Sequence, residues 1–207
     1  MTRITAVIPA YNEAARIAGT LIKARPYVDE IIVVDDASTD DTADIAKRSG
    51  ATVLSQEINK GYIDAIKTGF REASGDIVLT LDADGEFSAD DIPSLVQPII
   101  DGDAEMVQGH RDTIPRPSER FLTWISQKKG DVGDSGTGLR AIQTALAKQL
   151  EIKGICICGV LSLEVISKGG RITEVPITLQ KVDKPRKIAW FHLGQFLLLL
   201  PWLFRKY

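Results

Sequence analysis

The chain has 207 residues, of which 44% are hydrophobic and 26% are charged, and its mean hydropathy is close to zero. This composition is typical of one folded domain and excludes a disordered, collagen-like or multi-spanning membrane protein. The two cysteines, Cys156 and Cys158, are too few for a disulfide framework, and residues 1–9 lack the pattern of a secretory signal. We therefore expect a cytoplasmic protein.

The charges are distributed unevenly along the chain. Its 25 Lys and Arg against 28 Asp and Glu give a net charge of −3, which argues against a general nucleic-acid binder. Six of those cations but only one of the acids lie in residues 181–207, so a basic segment follows an acidic body. We predict one domain over residues 1–180 and a separate C-terminal segment over residues 181–207.

The C-terminal segment combines apolar and basic residues. Residues 188–204 are rich in Leu, Phe and Trp but are interrupted by His192, Gly194, Gln195 and Pro201. A bilayer span needs about 20 consecutive apolar residues, so this stretch is too short and too interrupted to cross a membrane. The pattern favours an amphipathic helix with two interpretations open: a helix at a membrane surface, or one packed on the domain or in a homodimer.

Short β-branched runs alternate with segments of helical periodicity over the first 110 residues. The predicted strands are residues 4–8, 30–34, 52–55, 77–81 and 105–108. The predicted helices are residues 14–24, 40–49, 63–73 and 91–100, and we expect Ser38 and Ser88 to cap the second and the fourth. This alternation predicts an α/β fold with a parallel sheet flanked by helices, which binds ligands beyond the carboxyl ends of its strands.

The periodicity is weaker beyond residue 111. We predict a helix over residues 120–129, a Gly-rich loop over 130–138, helices over 143–151 and 155–167, and an extended segment over 171–179. The polar and Gly-rich character of residues 112–138 is typical of a loop that contacts substrate.

Three carboxylates, Asp82, Asp84 and Glu86, follow the predicted strand at residues 77–81. Carboxylate oxygens at this density are typical ligands of Mg²⁺ or Mn²⁺, which complete their coordination with phosphate and water oxygens. A calcium loop is excluded because Phe87 stands where that loop requires Gly. The pattern therefore predicts a site for a divalent ion and a diphosphate.

Two other strand ends bear on the ligand. Asp35 and Asp36 end the predicted strand at residues 30–34, where carboxylates can accept hydrogen bonds from a nucleobase or a ribose. A solvated turn is the alternative interpretation of this pair. The first strand ends without the motif G-x-G-x-x-G, and this argues against a Rossmann dinucleotide site.

The sequence resembles the family-2 glycosyltransferases of GT-A fold through four motifs, at residues 7–13, 32–40, 59–62 and 75–84. Residues 135–140 and 171–177 are similar to the dolichyl-phosphate mannose synthase and polyprenyl-phosphate sugar synthase group. The resemblance implies a mostly parallel, Rossmann-like central sheet in a single domain.

The resemblance also implies a role for each matching position. The nucleotide-binding residues would be Pro9, Tyr11, Glu13, Asp36, Lys60 and Asp82. Asp84 and Glu86, with Asp82, would hold Mg²⁺ or Mn²⁺. Arg111 and Arg140 would face the sugar and the acceptor, and Asp134 is the acidic residue ahead of the Gly-rich motif.

The implied reaction is inverting transfer of a hexose from a nucleotide sugar, of the GDP-mannose or UDP-glucose type, to a polyprenyl or dolichyl phosphate. The expected partners are a membrane surface and either a second copy of the chain or a separate membrane subunit. An ionised phosphate acceptor needs cations, for which Arg140, Arg111 and the tail residues Lys181, Lys184 and Arg186 are candidates. A hydroxyl acceptor needs a general base, for which Asp134 is the candidate. A non-catalytic protein that binds nucleotide sugars is the remaining alternative.

The Cys-x-Cys pair lies in an apolar setting, which favours a core position over metal or redox chemistry. His192 is interpreted as a packed or interfacial histidine, with metal ligation as the alternative.

Overall fold

The structure, a computed structural model, describes residues 1–112, 114, 117–130, 132–180 and 191–204. Its strands are β1 (Ile4–Ala10), β2 (Glu30–Asp35), β3 (Thr52–Ser55), β4 (Ile77–Thr80), β5 (Met106–Arg111), β6 (Arg140–Gln143) and β7 (Ile172–Ile177). Its helices are α1 (Ile17–Ala24), α2 (Thr42–Arg48), α3 (Tyr62–Glu72), α4 (Ile92–Ile100), α5 (Pro117–Gln127), α6 (Thr144–Ala147), α7 (Val160–Ser167) and α8 (Phe191–Phe204). Short 3-10 turns cover Arg25–Tyr27 and Ala89–Asp91.

The seven described strands form one sheet in the order β3-β2-β1-β4-β6-β5-β7. All neighbouring pairs are parallel except those of β6, which runs antiparallel to both β4 and β5. The predicted α/β sheet is confirmed, with β6 as its one reversed strand. The β1, β2 and β4 runs are almost uninterrupted Ile, Val, Leu and Ala because helices cover both faces of the sheet.

Two clusters of buried side chains form the core, one on each face of the sheet. On one face, α1 and α4 contribute Ile17, Leu21, Ile92 and Leu95. On the other, α3, α5 and α7 contribute Ile66, Phe70, Leu122 and Leu161. Helix α3 shows the cause: Ile63, Ile66 and Phe70 recur at helical spacing and face the sheet, so one stripe of the helix is buried. Packing on both faces holds the strand ends in fixed positions.

The predictions for the first 110 residues are confirmed apart from element ends. Ser88 caps the 3-10 turn Ala89–Asp91, where its Oγ accepts from the Asp90 amide at 3.4 Å, and not α4, whose N-cap is Asp91 without a side-chain hydrogen bond. The Ser38 cap is wrong. Helix α2 begins at Thr42, and Ser38 Oγ accepts from the Asn12 amide instead, at 3.0 Å.

The predictions for the residues beyond 111 differ more from the structure. Strand β6 was not predicted, and the helix predicted over residues 143–151 is reduced to the single turn of α6. The four residues of β6, Arg-Ala-Ile-Gln, include only two apolar side chains, too few to distinguish a strand from a loop, and the pairing of β6 with β4 and β5 is a tertiary contact. The helix predicted over residues 155–167 begins only at Val160.

Helix α8 differs from the predicted amphipathic pattern. Its polar residues His192 and Gln195 are buried against the domain together with Leu199, whereas Leu193 and Leu197 are more than half exposed. The ring of Phe196 lies 5.0 Å from that of Phe121 on α5. Within the described residues, no helix has the length and apolarity to traverse a bilayer. The domain boundary predicted at residue 180 lies at the edge of the described residues and stays a prediction.

Candidate active site

The carboxyl ends of β1, β2 and β4 enclose a cavity of about 260 Å³. Its lining comes from the last residues of β1, from the loops after these strands and from the first turn of α3: Pro9, Ala10, Tyr11, Glu13, Asp36, Tyr62, Ala65, Asp82, Ala83 and Asp84. Parallel strands place their carboxyl ends at one edge of the sheet, so residues far apart in sequence meet there. Six of the predicted nucleotide and metal residues line this cavity, whereas Lys60 and Glu86 do not.

Hydrogen bonds between side chains and backbone join the loop after β1 to the segment between β2 and α2 and to the start of α2. Asn12 Oδ1 accepts from the Thr39 amide at 2.8 Å, and Thr42 Oγ1 accepts from the Glu13 amide at 2.8 Å. Asn12 takes a left-handed backbone conformation with φ of 55°, which Asn tolerates better than most residues. Sequence reasoning missed these positioning roles, although short polar side chains after a strand are the signal for them.

Asp36 fixes the start of α3. Its two carboxylate oxygens accept from the Lys60 and Gly61 amides at 2.7 and 2.8 Å. Gly61 has φ of +88°, a conformation that favours glycine, and this turn directs both amides at Asp36. The Lys60 side chain is exposed, so in this structure Lys60 contributes its backbone amide.

Asp82 lies between α3 and the Gly-rich loop. Its Oδ1 accepts from the Tyr62 hydroxyl at 3.0 Å. A Cβ at Gly138 would collide with Asp82 Oδ2, so this close approach requires glycine. Burial, reinforced by the charge of Asp82, raises the pKa of Tyr62 well above its usual value, and the phenol stays a neutral donor. Tyr62 belongs to a motif quoted from the sequence but was given no role there.

Asp84 is 8% exposed, and its Oδ1 accepts from the Glu86 amide at 3.0 Å. Glu86 is half-buried outside the cavity lining. Asp82 and Asp84 together present hard oxygen donors to one cavity. Mg²⁺ and Mn²⁺ commonly bind through one or two protein carboxylates plus phosphate oxygens, so the donor set fits such an ion.

Arg16 adds a positive charge at this edge. Its Nε donates to Glu13 Oε2 at 2.7 Å. This hydrogen bond raises the pKa of Arg16, and the charges of Glu13 and Asp84 add to the effect. The Arg16 guanidinium therefore offsets part of the negative charge of Glu13 and Asp84, which both line the cavity.

Arg111 and Asp134, both predicted to be catalytic, form a buried ion pair. Arg111 Nε and Nη2 donate to the two Asp134 oxygens at 2.7 and 2.8 Å, and Nη2 also donates to Glu119 Oε2 at 3.1 Å. Burial alone would raise the pKa of Asp134, but the hydrogen bonds and charge of Arg111 outweigh it and hold that pKa below its usual value. A carboxylate so engaged is a poor general base, and an Arg between two carboxylates is a poor site for an anion.

Arg140 is fully buried at the start of β6 and does not line the cavity. Its Nη2 donates to the Ser135 carbonyl at 2.9 Å, and its Nε and Nη1 have no hydrogen-bond partner among the described residues. Burial lowers the pKa of Arg140, although the surrounding Tyr62, Cys158, Asp134 and Asp82 oppose this. The structure thus separates the two predicted arginines: Arg111 is neutralised by its partners, whereas Arg140 retains two donors.

Glu174 on β7 was missed by sequence reasoning. Its Oε1 accepts from the Gly133 and Asp134 amides at 2.7 and 2.9 Å, and its Oε2 lies 2.9 Å from His110 Nδ1. One side chain therefore fixes the Gly-rich loop to the edge of the sheet. A lone acid within an otherwise apolar extended segment was the available signal.

Comparison with known proteins identifies relatives of the chain. The sequence model of the family described as "Glycosyl transferase family 2" matches residues 5–158. A UDP-N-acetylglucosamine–dolichyl-phosphate N-acetylglucosaminyltransferase of Methanococcus voltae is 32% identical over 210 residues, covering 83% of this chain and 83% of that protein. An undecaprenyl-phosphate 4-deoxy-4-formamido-L-arabinose transferase of Serratia proteamaculans is 37% identical over 159 residues, covering 67% of this chain and 48% of that protein.

Among solved structures, glucosyl-3-phosphoglycerate synthase of Mycobacterium tuberculosis is similar over 100% of this chain and 81% of its own. The TM-score is 0.83 and the sequence identity 25%, and that crystal contains Mn²⁺, UDP-glucose and phosphoglyceric acid. The similarity confirms the GT-A fold expected from the sequence motifs.

Proposed function

The chain belongs to glycosyl transferase family 2 and is a glycosyltransferase, and from this premise we propose that it transfers a sugar from a nucleoside diphosphate sugar to a polyprenyl-type lipid phosphate. The main support for this function is the cavity at the strand ends, where Asp82 and Asp84 lie beside the loops that follow β1 and β2. The proposed reaction is a displacement at the anomeric carbon with inversion, and it needs no covalent enzyme intermediate.

We assign the donor site to this cavity. Asp82 and Asp84 would hold Mg²⁺ or Mn²⁺, and a bound ion supplies Lewis-acid stabilisation of the leaving diphosphate. The chain itself orients the donor: the Tyr62 hydroxyl holds Asp82, and Asp36 holds the first turn of α3. Pro9 lies near the end of β1, and Tyr11 and Glu13 lie on the loop after it, which is hydrogen-bonded to α2 through Thr42, so the nucleotide would bind to side chains that are already ordered.

The acceptor assignment rests on the absence of a suitable base in the predicted position. A phosphomonoester, with a second pKa of about 6, arrives ionised and needs cations rather than a base. Asp134 already accepts two hydrogen bonds from the Arg111 guanidinium, so it is poorly placed to take a proton from a hydroxyl. Arg140 is as buried as Asp134, but its Nε and Nη1 nitrogens have no hydrogen-bond partner among the described residues, so it is the described cation that we favour for the acceptor side. The tail candidates Lys181, Lys184 and Arg186 lie outside the described residues.

A lipid acceptor would also explain the outer surface of α5 and α8. We call the α5–α8 apolar face the exposed set Phe121, Trp124, Leu193, Leu197, Leu198 and Phe204. The rings of Phe121 and Trp124 stack at 5.7 Å, and Lys128 Nζ lies 5.0 Å from the Trp124 ring centre. Basic residues flank α8 in the sequence. Apolar surface, aromatic rings and cations together suit an interface with anionic lipid, and we propose peripheral binding at the cytoplasmic face of a membrane.

The test of function is a panel of reactions. UDP- and GDP-sugars are each incubated with a polyprenyl phosphate, with 3-phosphoglycerate or without acceptor, in the presence of Mn²⁺ or EDTA. We expect a lipid-linked product that requires the metal. Transfer only to 3-phosphoglycerate would replace the lipid acceptor with a small-molecule hydroxyl acceptor, and donor binding without transfer or hydrolysis would favour a non-catalytic protein.

The double variant Leu197→Glu, Leu198→Glu is expected to weaken binding to vesicles of anionic lipid by about tenfold or more. Burying a Leu side chain is worth about 1.5–3 kcal/mol, and 1.4 kcal/mol corresponds to a factor of ten. Co-sedimentation with vesicles measures the change. Ile22→Glu is the matched control, because Ile22 is 69% exposed on α1, away from α8. If the double variant binds vesicles normally but elutes at a smaller size than the wild type, the face is a dimer interface.

A further inference from the structure

Helix α8 brings a histidine to the Cys-x-Cys pair, which the sequence interpretation assigned to the core. One ligand atom from each of Cys156, Cys158 and His192 lies within 4.8 Å of the other two. Cys158 Sγ is 3.9 Å from His192 Nε2. A tetrahedral zinc ion, with Zn–S of about 2.3 Å and Zn–N of about 2.0–2.1 Å, holds its ligands about 3.5–3.8 Å apart. The three side chains are therefore close to a metal-binding arrangement.

The histidine is oriented in the way that metal ligands usually are. His192 Nδ1 lies 2.7 Å from Ser118 Oγ on α5, which leaves Nε2 as the ring nitrogen that faces Cys158. When Nδ1–H donates to Ser118, Nε2 carries the lone pair that a metal ion requires. In most metal-bound histidines, the ring nitrogen that does not bind the metal donates a hydrogen bond in this way.

The cysteine loop is held against α8 by Gln195, which is 0% exposed. Gln195 Oε1 accepts from the Ile155 and Cys156 amides at 2.8 and 3.2 Å, and its Nε2 donates to the Cys158 carbonyl at 3.2 Å. Three hydrogen bonds thus position the loop and the helix independently of any ligand. This explains why a polar side chain of an otherwise apolar helix points into the protein.

We propose that Cys156, Cys158 and His192 form a binding site for a thiophilic divalent ion, Zn²⁺ in the first instance. Three protein ligands leave one coordination position, next to the partly exposed Cys156. The ion would attach α8 to the loop before α7, and that loop also contacts the Gly-rich loop, since the Gly159 amide donates to the Ser135 carbonyl at 3.3 Å. The site is separate from the Asp82–Asp84 cavity and does not depend on the proposed sugar transfer.

The test uses the full reduced chain and Co²⁺ as the spectroscopic probe. We expect one thiolate-bound Co²⁺ per chain, seen as intense thiolate-to-metal charge-transfer absorption that stoichiometric Zn²⁺ abolishes. Cys156→Ser should lower this absorption by about half, because one of two thiolates is lost, and His192→Asn should weaken Co²⁺ binding by at least about tenfold. Asp84→Asn is the control for the other proposed metal site and should leave the absorption unchanged.

A second measurement needs no variant. Zn²⁺ that binds the folded chain raises its thermal unfolding temperature, and we expect this rise in the wild type. The proposal is overturned if the wild type shows no charge-transfer absorption, if folded His192→Asn binds Co²⁺ as tightly as the wild type, or if mass spectrometry of the untreated protein finds a Cys156–Cys158 disulfide that re-forms in the presence of Zn²⁺.

Discussion

Replacing Asp84 with Asn is expected to lower sugar transfer by at least about 10³-fold while leaving the fold intact. The loss follows because a catalytic divalent ion supplies several kcal/mol of transition-state stabilisation, and each 1.36 kcal/mol is a factor of ten in rate. The fold should persist because Asp84 Oδ1 accepts from the Glu86 amide, and the amide oxygen of Asn can accept the same hydrogen bond. Initial rates over a range of Mn²⁺ concentrations, together with urea unfolding, measure both effects.

Titration calorimetry of Mn²⁺ binding in the presence of UDP distinguishes a role of Asp84 in metal binding from a general loss of activity. We expect Asp84→Asn to bind the ion at least about tenfold more weakly. Asp101→Asn is the matched control, since it removes a carboxylate from the exposed end of α4 and should change neither quantity. If Asp84→Asn transferred sugar at the wild-type rate, the divalent ion could not be assigned to this cavity.

Replacing Asp134 with Ala is expected to lower the free energy of unfolding by about 3–5 kcal/mol, because it leaves the buried Arg111 without its principal partner. The double variant Arg111→Met, Asp134→Leu, made in a Glu119→Gln background so that no carboxylate is left opposite the removed arginine, should recover much of this loss, since apolar side chains replace the ion pair. Urea unfolding of the two single variants and the double variant gives the coupling between the residues. The pair Arg171 and Glu105, also in contact at 2.8 Å, is the matched control, and its removal should lower the free energy of unfolding far less because Arg171 is exposed and solvent screens the pair.

The same pair has a pH signature. The folded-state pKa of Asp134 lies below its unfolded value of about 3.9, so the stability it contributes is fully present above that value and is lost as the pH falls through the folded pKa. The stability difference between the wild type and Asp134→Ala should therefore shrink in acid. A constant difference down to pH about 2 would show that ionisation of Asp134 contributes nothing.

These measurements also separate structure from catalysis at Asp134. A general base would lose turnover on replacement while the unfolding free energy stayed the same. The bidentate contact with Arg111 predicts the opposite order of effects: a large loss of stability and, in whatever fraction remains folded, transfer to a lipid phosphate.

The amino-acid sequence by itself determined the first half of the fold and the acidic edge of the cavity. The runs at β1, β2 and β4 are almost entirely apolar, and the apolar residues of α3 recur at helical spacing, so the local pattern identifies the strands and the helix. Asp82 and Asp84 follow a buried strand, and parallel strands bring their carboxyl ends together, so their place beside Asp36 was predictable.

Only the tertiary structure decided which side chains pair across long separations. Arg111 and Asp134 are 23 residues apart, and Cys158 and His192 are 34 residues apart. Strand β6 likewise exists because β4 and β5 leave a gap between them that an antiparallel strand fills. Sequence periodicity indicates which face of a helix or strand is buried, but the residue that packs on that face depends on the tertiary fold of the whole chain. That is why one predicted base became half of an ion pair, and two core cysteines became neighbours of a histidine.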